Sequence, residues 1–210
     1  MSGDTPIRPT FHHFNLKTTR LQELVDWYAT VVGAEVTFKD ATGAWLSNDA
    51  ANHRIALLCF PGFVDDPDRE TRTGMHHSAF EYDSFADLNA SYLRLREAGI
   101  EPDTCIDHGM TLSYYYRDPD GNRVELQVDN FGDWQASKEW MRTSPEFRAN
   151  PIGVFVDPGR IAEAAACGES FDEIHRRAIA GELGPPQPPI DIPGEERDGH
   201  HDAESHLELR

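Results

Sequence analysis

The stretch FHHFNLKTTRLQELVDWYATVVGAEV at residues 11–36 decides the architecture, because its opening returns sixty-four residues later in MHHSAFEYDSFADL at 75–88. After each His-His pair an alternating run reads as a short strand, and apolar residues at helical spacing follow it. In the first copy these are Leu21, Leu24, Val25, Tyr28 and Val32 behind Thr19-x-x-Gln22, a capping-box spacing; in the second they are Phe85, Leu88, Tyr92 and Leu95 behind Ser84. Each helix runs out near a glycine, Gly33 or Gly99. Three strand patterns then follow, at 35–39, 43–48 and 54–60 and again at 102–106, 111–117 and 123–129, with Asp118-Pro119-Asp120-Gly121 as the last turn. The repeated unit is therefore β-α-β-β-β. One copy alone leaves a sheet face bare, so two copies are expected to form one α+β domain around a shared cleft.

Outside the repeat the chain changes character. The expected division is a two-module domain over 1–134, with modules at about 10–60 and 75–130, a helical extension over 135–184, and a proline-rich acidic tail over 185–210. The extension is expected to pack on the domain or on a second subunit. His200, His201 and His206 fall in the tail, where nothing rigid would hold a metal.

Charge and cysteine content narrow the function. Thirty-seven acidic residues against 19 Lys and Arg leave a net charge of −18, which repels nucleic acid and anionic membrane surfaces. Neither a secretory signal nor a membrane span is legible, so a cytoplasmic location is expected. The three cysteines, Cys59, Cys105 and Cys167, show no metal or disulfide spacing, which leaves His and carboxylate as metal donors.

Strand alternation selects those donors. His13, Asn15 and Lys17 share the cleft face of the first strand, with His12, Phe14 and Leu16 turned toward the helix; the repeat puts His77 where His13 stands. Glu125, a carboxylate among Val124, Leu126 and Val128, supplies the third donor. Two imidazoles and a carboxylate leave coordination positions open and suit non-haem Fe(II). A single strand histidine is most often a surface or hydrogen-bonded residue; an internally repeated pair in register with a carboxylate is much harder to dismiss.

Together, FHHFNLKTTRLQELVDWYATVVGAEV, MHHSAFEYDSFADL and YYYRDPDGNRVEL resemble the vicinal oxygen chelate superfamily over residues 10–130. That superfamily includes glyoxalase I, drug-resistance proteins and type I extradiol ring-cleavage dioxygenases. The resemblance implies a metal held by His13, His77 and Glu125. It also points to the extradiol branch: Ala56 stands at the counterpart of Glu125, where glyoxalase-like members carry a fourth ligand, and His53, His108 and Tyr115 resemble the branch's active-site residues, His108 at a spacing about two residues short. The implied activity is cleavage of a catechol-type ring by dioxygen beside the diol, in aromatic catabolism, with Fe(II) ahead of Mn(II) and a homo-oligomeric enzyme. The rivals are a glyoxalase-like lyase or isomerase, disfavoured by Ala56, and a metal-free drug-binding protein, disfavoured by the retained ligand set. Loop 61–75 and the extension are expected to wall the substrate pocket.

Overall fold

The computed structural model describes residues 7–187. The first module runs β1 (Phe14–Lys17), α1 (Leu21–Val32), β2 (Glu35–Lys39), β3 (Gly43–Ser47) and β4 (Ile55–Leu58); the second runs β5 (His77–Tyr82), α2 (Phe85–Glu97), β6 (Thr104–Asp107), β7 (Thr111–Arg117) and β8 (Arg123–Asp129). The α+β class and the repeated β-α-β-β-β order are as the sequence implies. Each module makes its own sheet, in the order β1-β4-β3-β2 and β5-β8-β7-β6, and in both the first strand lies parallel to the last.

Each helix covers one sheet face because its apolar side repeats every three to four residues. Leu24, Val25, Tyr28 and Val31 of α1 bury against Leu16, Leu46, Ile55 and Leu57, while Leu88, Tyr92 and Leu95 of α2 bury against Tyr114, Tyr116, Val124 and Leu126. The two helix-covered faces meet in one continuous core. Phe14 and Phe80 lie 6.1 Å apart across the junction. Polar contacts close its margins: Tyr28 donates to Asp118 at 3.2 Å, Arg20 to Asp120 at 2.5 Å, and Arg94 to the Thr30 carbonyl at 2.8 Å.

The α1 cap departs from expectation. Arg20 occupies the N-cap position without a side-chain cap, Thr19 donates its hydroxyl to Asp65, and Gln22 donates to Asp26. Ion pairs from Arg20 to Asp65 and Asp120 anchor this corner instead. Ser84 does cap α2, accepting from the Asp87 amide.

The extension joins the second module. A short strand, β9 (Val154–Phe155), which periodicity does not reveal, pairs antiparallel with β6 and adds a fifth strand to that sheet. Helices α3 (Trp134–Thr143) and α4 (Pro145–Ala149) precede it in the chain, and α5 (Pro158–Ala166) and α6 (Phe171–Ile179) follow it. Ile161, Ile174 and Leu183 enter the common core, and Phe171 stacks on Phe85 with ring centroids 4.6 Å apart. The histidines of the acidic tail lie outside the described residues.

Candidate active site

The second module gathers four of the expected residues. Glu125 on β8 pairs in register with Ala79 on β5, so strand pleating brings it to the same face as His77. His77 Nε2 stands 2.9 Å from Glu125 Oε2. On the other flank of β8, Tyr115 pairs directly with Glu125 and donates its hydroxyl to Oε1 at 3.0 Å. The same hydroxyl lies 2.9 Å from Nε2 of His108, whose Nδ1 donates to the Ile152 carbonyl. Because a carbonyl only accepts, that bond fixes which ring nitrogen carries hydrogen.

Electrostatics follow from burial. Glu125 is 5% exposed, which by itself would favour the neutral acid, but hydrogen bonds from His77, Ser113 and Tyr115 override burial and hold the carboxyl below its usual range. Burial pushes the His108 imidazole toward its neutral form. Burial, and then the charge of Glu125, push the Tyr115 phenol up. A phenol that keeps its proton thus stands between two acceptors, Glu125 Oε1 and His108 Nε2. Tyr114 and Tyr116, its neighbours on β7, point the opposite way into the core.

The first module gathers a different group. His12, His13 and His53 offer ligand atoms within 4.8 Å of one another, the one such cluster of three His, Cys, Asp or Glu among the described residues. The His13 and His53 rings lie 4.4 Å apart, and the His12 and His13 Nδ1 atoms 3.0 Å. His12 was expected on the helix side; it lies with His13 and His53 because β1 begins only at Phe14 and pleating does not govern the residues before it. Burial, followed by the charges of His13 and His12, lowers the His53 pKa. Ala56 pairs with Asn15 on one side and Trp45 on the other, as Glu125 pairs with Ala79 and Tyr115 in the second module. The position equivalent to Glu125 is therefore occupied by a side chain with no donor atom.

His13 is not drawn into a common cluster with His77 and Glu125 within the chain. One half of the expected donor set lies on the exposed residues just before β1, and the other lines a cleft of about 520 Å³ on the second sheet. The wall of that cleft includes Trp134, Lys138, Met141 and Pro151 of the extension. Loop 61–75 does not reach it; that loop lines clefts beside Lys17 and Arg123 instead.

A profile of the Glyoxalase/Bleomycin resistance protein/Dioxygenase superfamily matches residues 10–126. The chain belongs to this superfamily. Among its relatives, biphenyl-2,3-diol 1,2-dioxygenase 2 of Rhodococcus globerulus is 41% identical over 180 residues, which is 86% of this chain and 94% of the relative. Biphenyl-2,3-diol 1,2-dioxygenase 3 of the same organism is 40% identical over 175 residues, 83% of this chain and 91% of the relative. Catechol-2,3-dioxygenase of Bacillus subtilis is 31% identical over 120 residues, 57% of this chain and 41% of the relative.

The second module's donors fit a superfamily metal. His77 Nε2 and Glu125 Oε2, side by side on one sheet face, are both donors a divalent first-row ion accepts. Ser113 is a contributor that sequence reasoning missed. It is fully buried, and its position two residues before Tyr115 on the same strand face was the available signal.

Proposed function

We propose that the protein is an extradiol ring-cleavage dioxygenase that opens a catechol-type ring beside its vicinal diol, with Fe(II) rather than Mn(II) as its metal. The observation that carries this reading is the asymmetry between equivalent strand positions, Glu125 in one module and Ala56 in the other. Three donors leave coordination positions for a diol and for dioxygen, whereas a fourth would take one of them. The relatives similar over nearly their whole length carry the same activity in their names.

Held by His13, His77 and Glu125, Fe(II) would supply the meeting point of diol and dioxygen and the path for electrons between them. The rest is done by side chains. His53, with its pKa lowered, is a base ready to take a proton from an incoming phenol. Tyr115 presents its phenolic proton between two acceptors, Glu125 and His108, and His77, Ser113 and Tyr115 hold Glu125 ionised. Both atoms of dioxygen end in the product as the ring carbon–carbon bond next to the diol breaks, so no external reductant is needed.

Because His13 and His53 stand apart from His77 and Glu125, the complete site is built by two copies: His13 and His53 of one subunit face His77, Glu125, Tyr115 and His108 of the other. Exposed Phe38 and the partly exposed Trp45 on the first sheet's open face, and exposed Trp134 and Met141 around the second, support burial of both faces in such a homo-oligomer. A twofold pair yields two sites. The enzyme works in the cytoplasm on small aromatic diols. No helix among the described residues is long and apolar enough to cross a membrane.

Anaerobic loading with Fe(II), followed by 2,3-dihydroxybiphenyl and oxygen, tests the activity. A yellow ring-fission product formed with equimolar oxygen uptake is the expected result; binding without turnover under Fe(II) and Mn(II) alike would overturn it.

A further inference from the structure

His12 has no part in the proposed iron site, yet its surroundings are built rather than loose. Arg54 donates through Nη1 to the His12 carbonyl at 2.9 Å, and its own carbonyl accepts from the Phe14 amide at 3.1 Å, so the residues before β1 are tied twice to the start of β4. Asp49 holds the same guanidinium through Nε and Nη2, at 2.9 and 2.7 Å. This frame brings three imidazoles together. The His12 ring centroid lies 5.2 Å from those of His13 and His53, which are themselves 4.4 Å apart.

The three rings present nitrogen lone pairs to one small volume. His53 Nδ1 lies 2.8 Å from Asn52 Oδ1, an atom that only accepts, so Nδ1 carries hydrogen and Nε2 is left as a donor for a metal. His12 and His13 face each other through Nδ1 at 3.0 Å, where one hydrogen at most fits between them. Among the described residues no carboxylate stands within ion-pair distance of any of the three, in contrast to His77 beside Glu125 and His175 beside Asp107. The second module repeats the pair but not the cluster. Its His76 and His77 Nδ1 atoms are 2.8 Å apart, but three residues before Glu125, where His53 stands relative to Ala56, the chain has Asn122, bonded to Asp118 and Arg69.

An all-imidazole set suits Zn(II), Ni(II) or Cu(II), and Fe(II) stands low in the affinity order of first-row ions. We propose that His12, His13 and His53 form a second metal site that takes Zn(II) ahead of Fe(II), and that Zn(II) bound there withdraws His13 from the iron site. Three protein donors leave a fourth tetrahedral position to water. His12 and His13 are exposed, so the ion reaches them without any opening of the fold. The binding stands on these residues alone; the competition rests on the dioxygenase reading, in which His13 faces His77 and Glu125 of a second copy. Zn(II) that joins His13 to His12 and His53 of its own chain holds it back from that role.

The test begins with metal-free Glu125→Ala protein, whose iron site lacks its carboxylate, titrated with Zn(II) against a chromophoric chelator and with Co(II) as a spectroscopic probe. Stoichiometric Zn(II) and the visible bands of tetrahedral Co(II) are expected. Adding His12→Ala should abolish those bands and weaken Zn(II) binding by roughly a hundredfold or more, since even a hydrogen-bond partner of a ligand is worth about ten- to a hundredfold. Adding His76→Ala instead should change neither. In the otherwise wild-type chain loaded with Fe(II), added Zn(II) should expel iron, read by elemental analysis, and lower ring cleavage with it; His12→Ala should require roughly tenfold more Zn(II) for half that loss. Zn(II) well below stoichiometric in Glu125→Ala, or binding unchanged by His12→Ala, would overturn the site. Iron lost equally with and without His12 would overturn the competition. Metal exchange as expected in a protein that cleaves no diol would count against the dioxygenase reading instead.

Discussion

The two modules share one frame and have been put to different uses. Sixty-four residues separate His13 from His77, and β1 pairs with β4 as β5 pairs with β8, yet the second module alone carries a carboxylate at the middle of its last strand. Around Glu125 the sheet is dense. Six of the seven β7 residues are buried, and Tyr115, Ser113 and His77 converge on one carboxyl. The equivalent face of the first module is less enclosed at its edge: all five β2 residues are exposed, and Ala56, though itself buried, offers nothing to a metal. On the proposed reading, duplication supplies the ligand geometry and the loss of symmetry at position 56 leaves room for substrate and oxygen.

The largest effect should come from emptying the richer module. Glu125→Ala removes the carboxylate donor and leaves His77 and Tyr115 without their partner; iron measured by elemental analysis should fall from stoichiometric to background and activity with it. Full iron retention would remove Glu125 from the ligand set.

Making the poorer module resemble the richer one should separate binding from turnover. Ala56→Glu is expected to retain metal and abolish ring cleavage, since a fourth donor occupies a position that diol or dioxygen needs. Unchanged cleavage would show that this position does not face the metal. His53→Gln should keep the iron and slow turnover by roughly a hundredfold, the scale of a positioned acid or base. Iron loss in that variant would make His53 a ligand.

The duplicated elements were the legible part. Periods of two and of about 3.6 are produced by pleating and by helix geometry, so strands, helices and the 118–121 turn are all marked in composition and spacing. The position of Ala56 opposite Glu125 follows from the same periodicity. Where other forces decide, the reading failed or stopped. Ion pairs of Arg20 displaced the Thr19 capping box, and His12, lying before the strand, escaped alternation. The two-residue β9 is too short to have a period. The division of the proposed metal donors between two faces is a matter of how modules dock, and docking depends on contacts such as Arg94 with the Thr30 carbonyl that no local pattern announces.

Only the second module has an extension to brace it, and the smallest predicted effect measures that brace. His175 bonds the buried carboxylate of Asp107, which also accepts from the Gly109 amide and Asn130. The Asp107 bond raises the folded-state pKa of His175. Its contribution is therefore full below the unfolded value, about 6.5, and is lost as pH rises through the raised folded value. His175→Ala should cost about 1 to 2 kcal/mol in acid-side buffer, and the gap from wild type in thermal unfolding should narrow as pH increases. A gap that widens with pH would contradict the assignment.

The central claim is that neither module completes a site by itself and that the missing half comes from a second copy. Mixing two defective chains tests it directly. His13→Ala and Glu125→Ala proteins, each inactive and iron-free alone, are denatured together in equal amounts, refolded, and loaded with Fe(II). If sites are shared, half of the randomly paired dimers are mixed and each holds one intact site, so iron and dihydroxybiphenyl cleavage should return to about a quarter of wild type. If both stay at background while co-refolded wild type recovers fully, His13 and Glu125 act within one chain and the shared-site account is wrong.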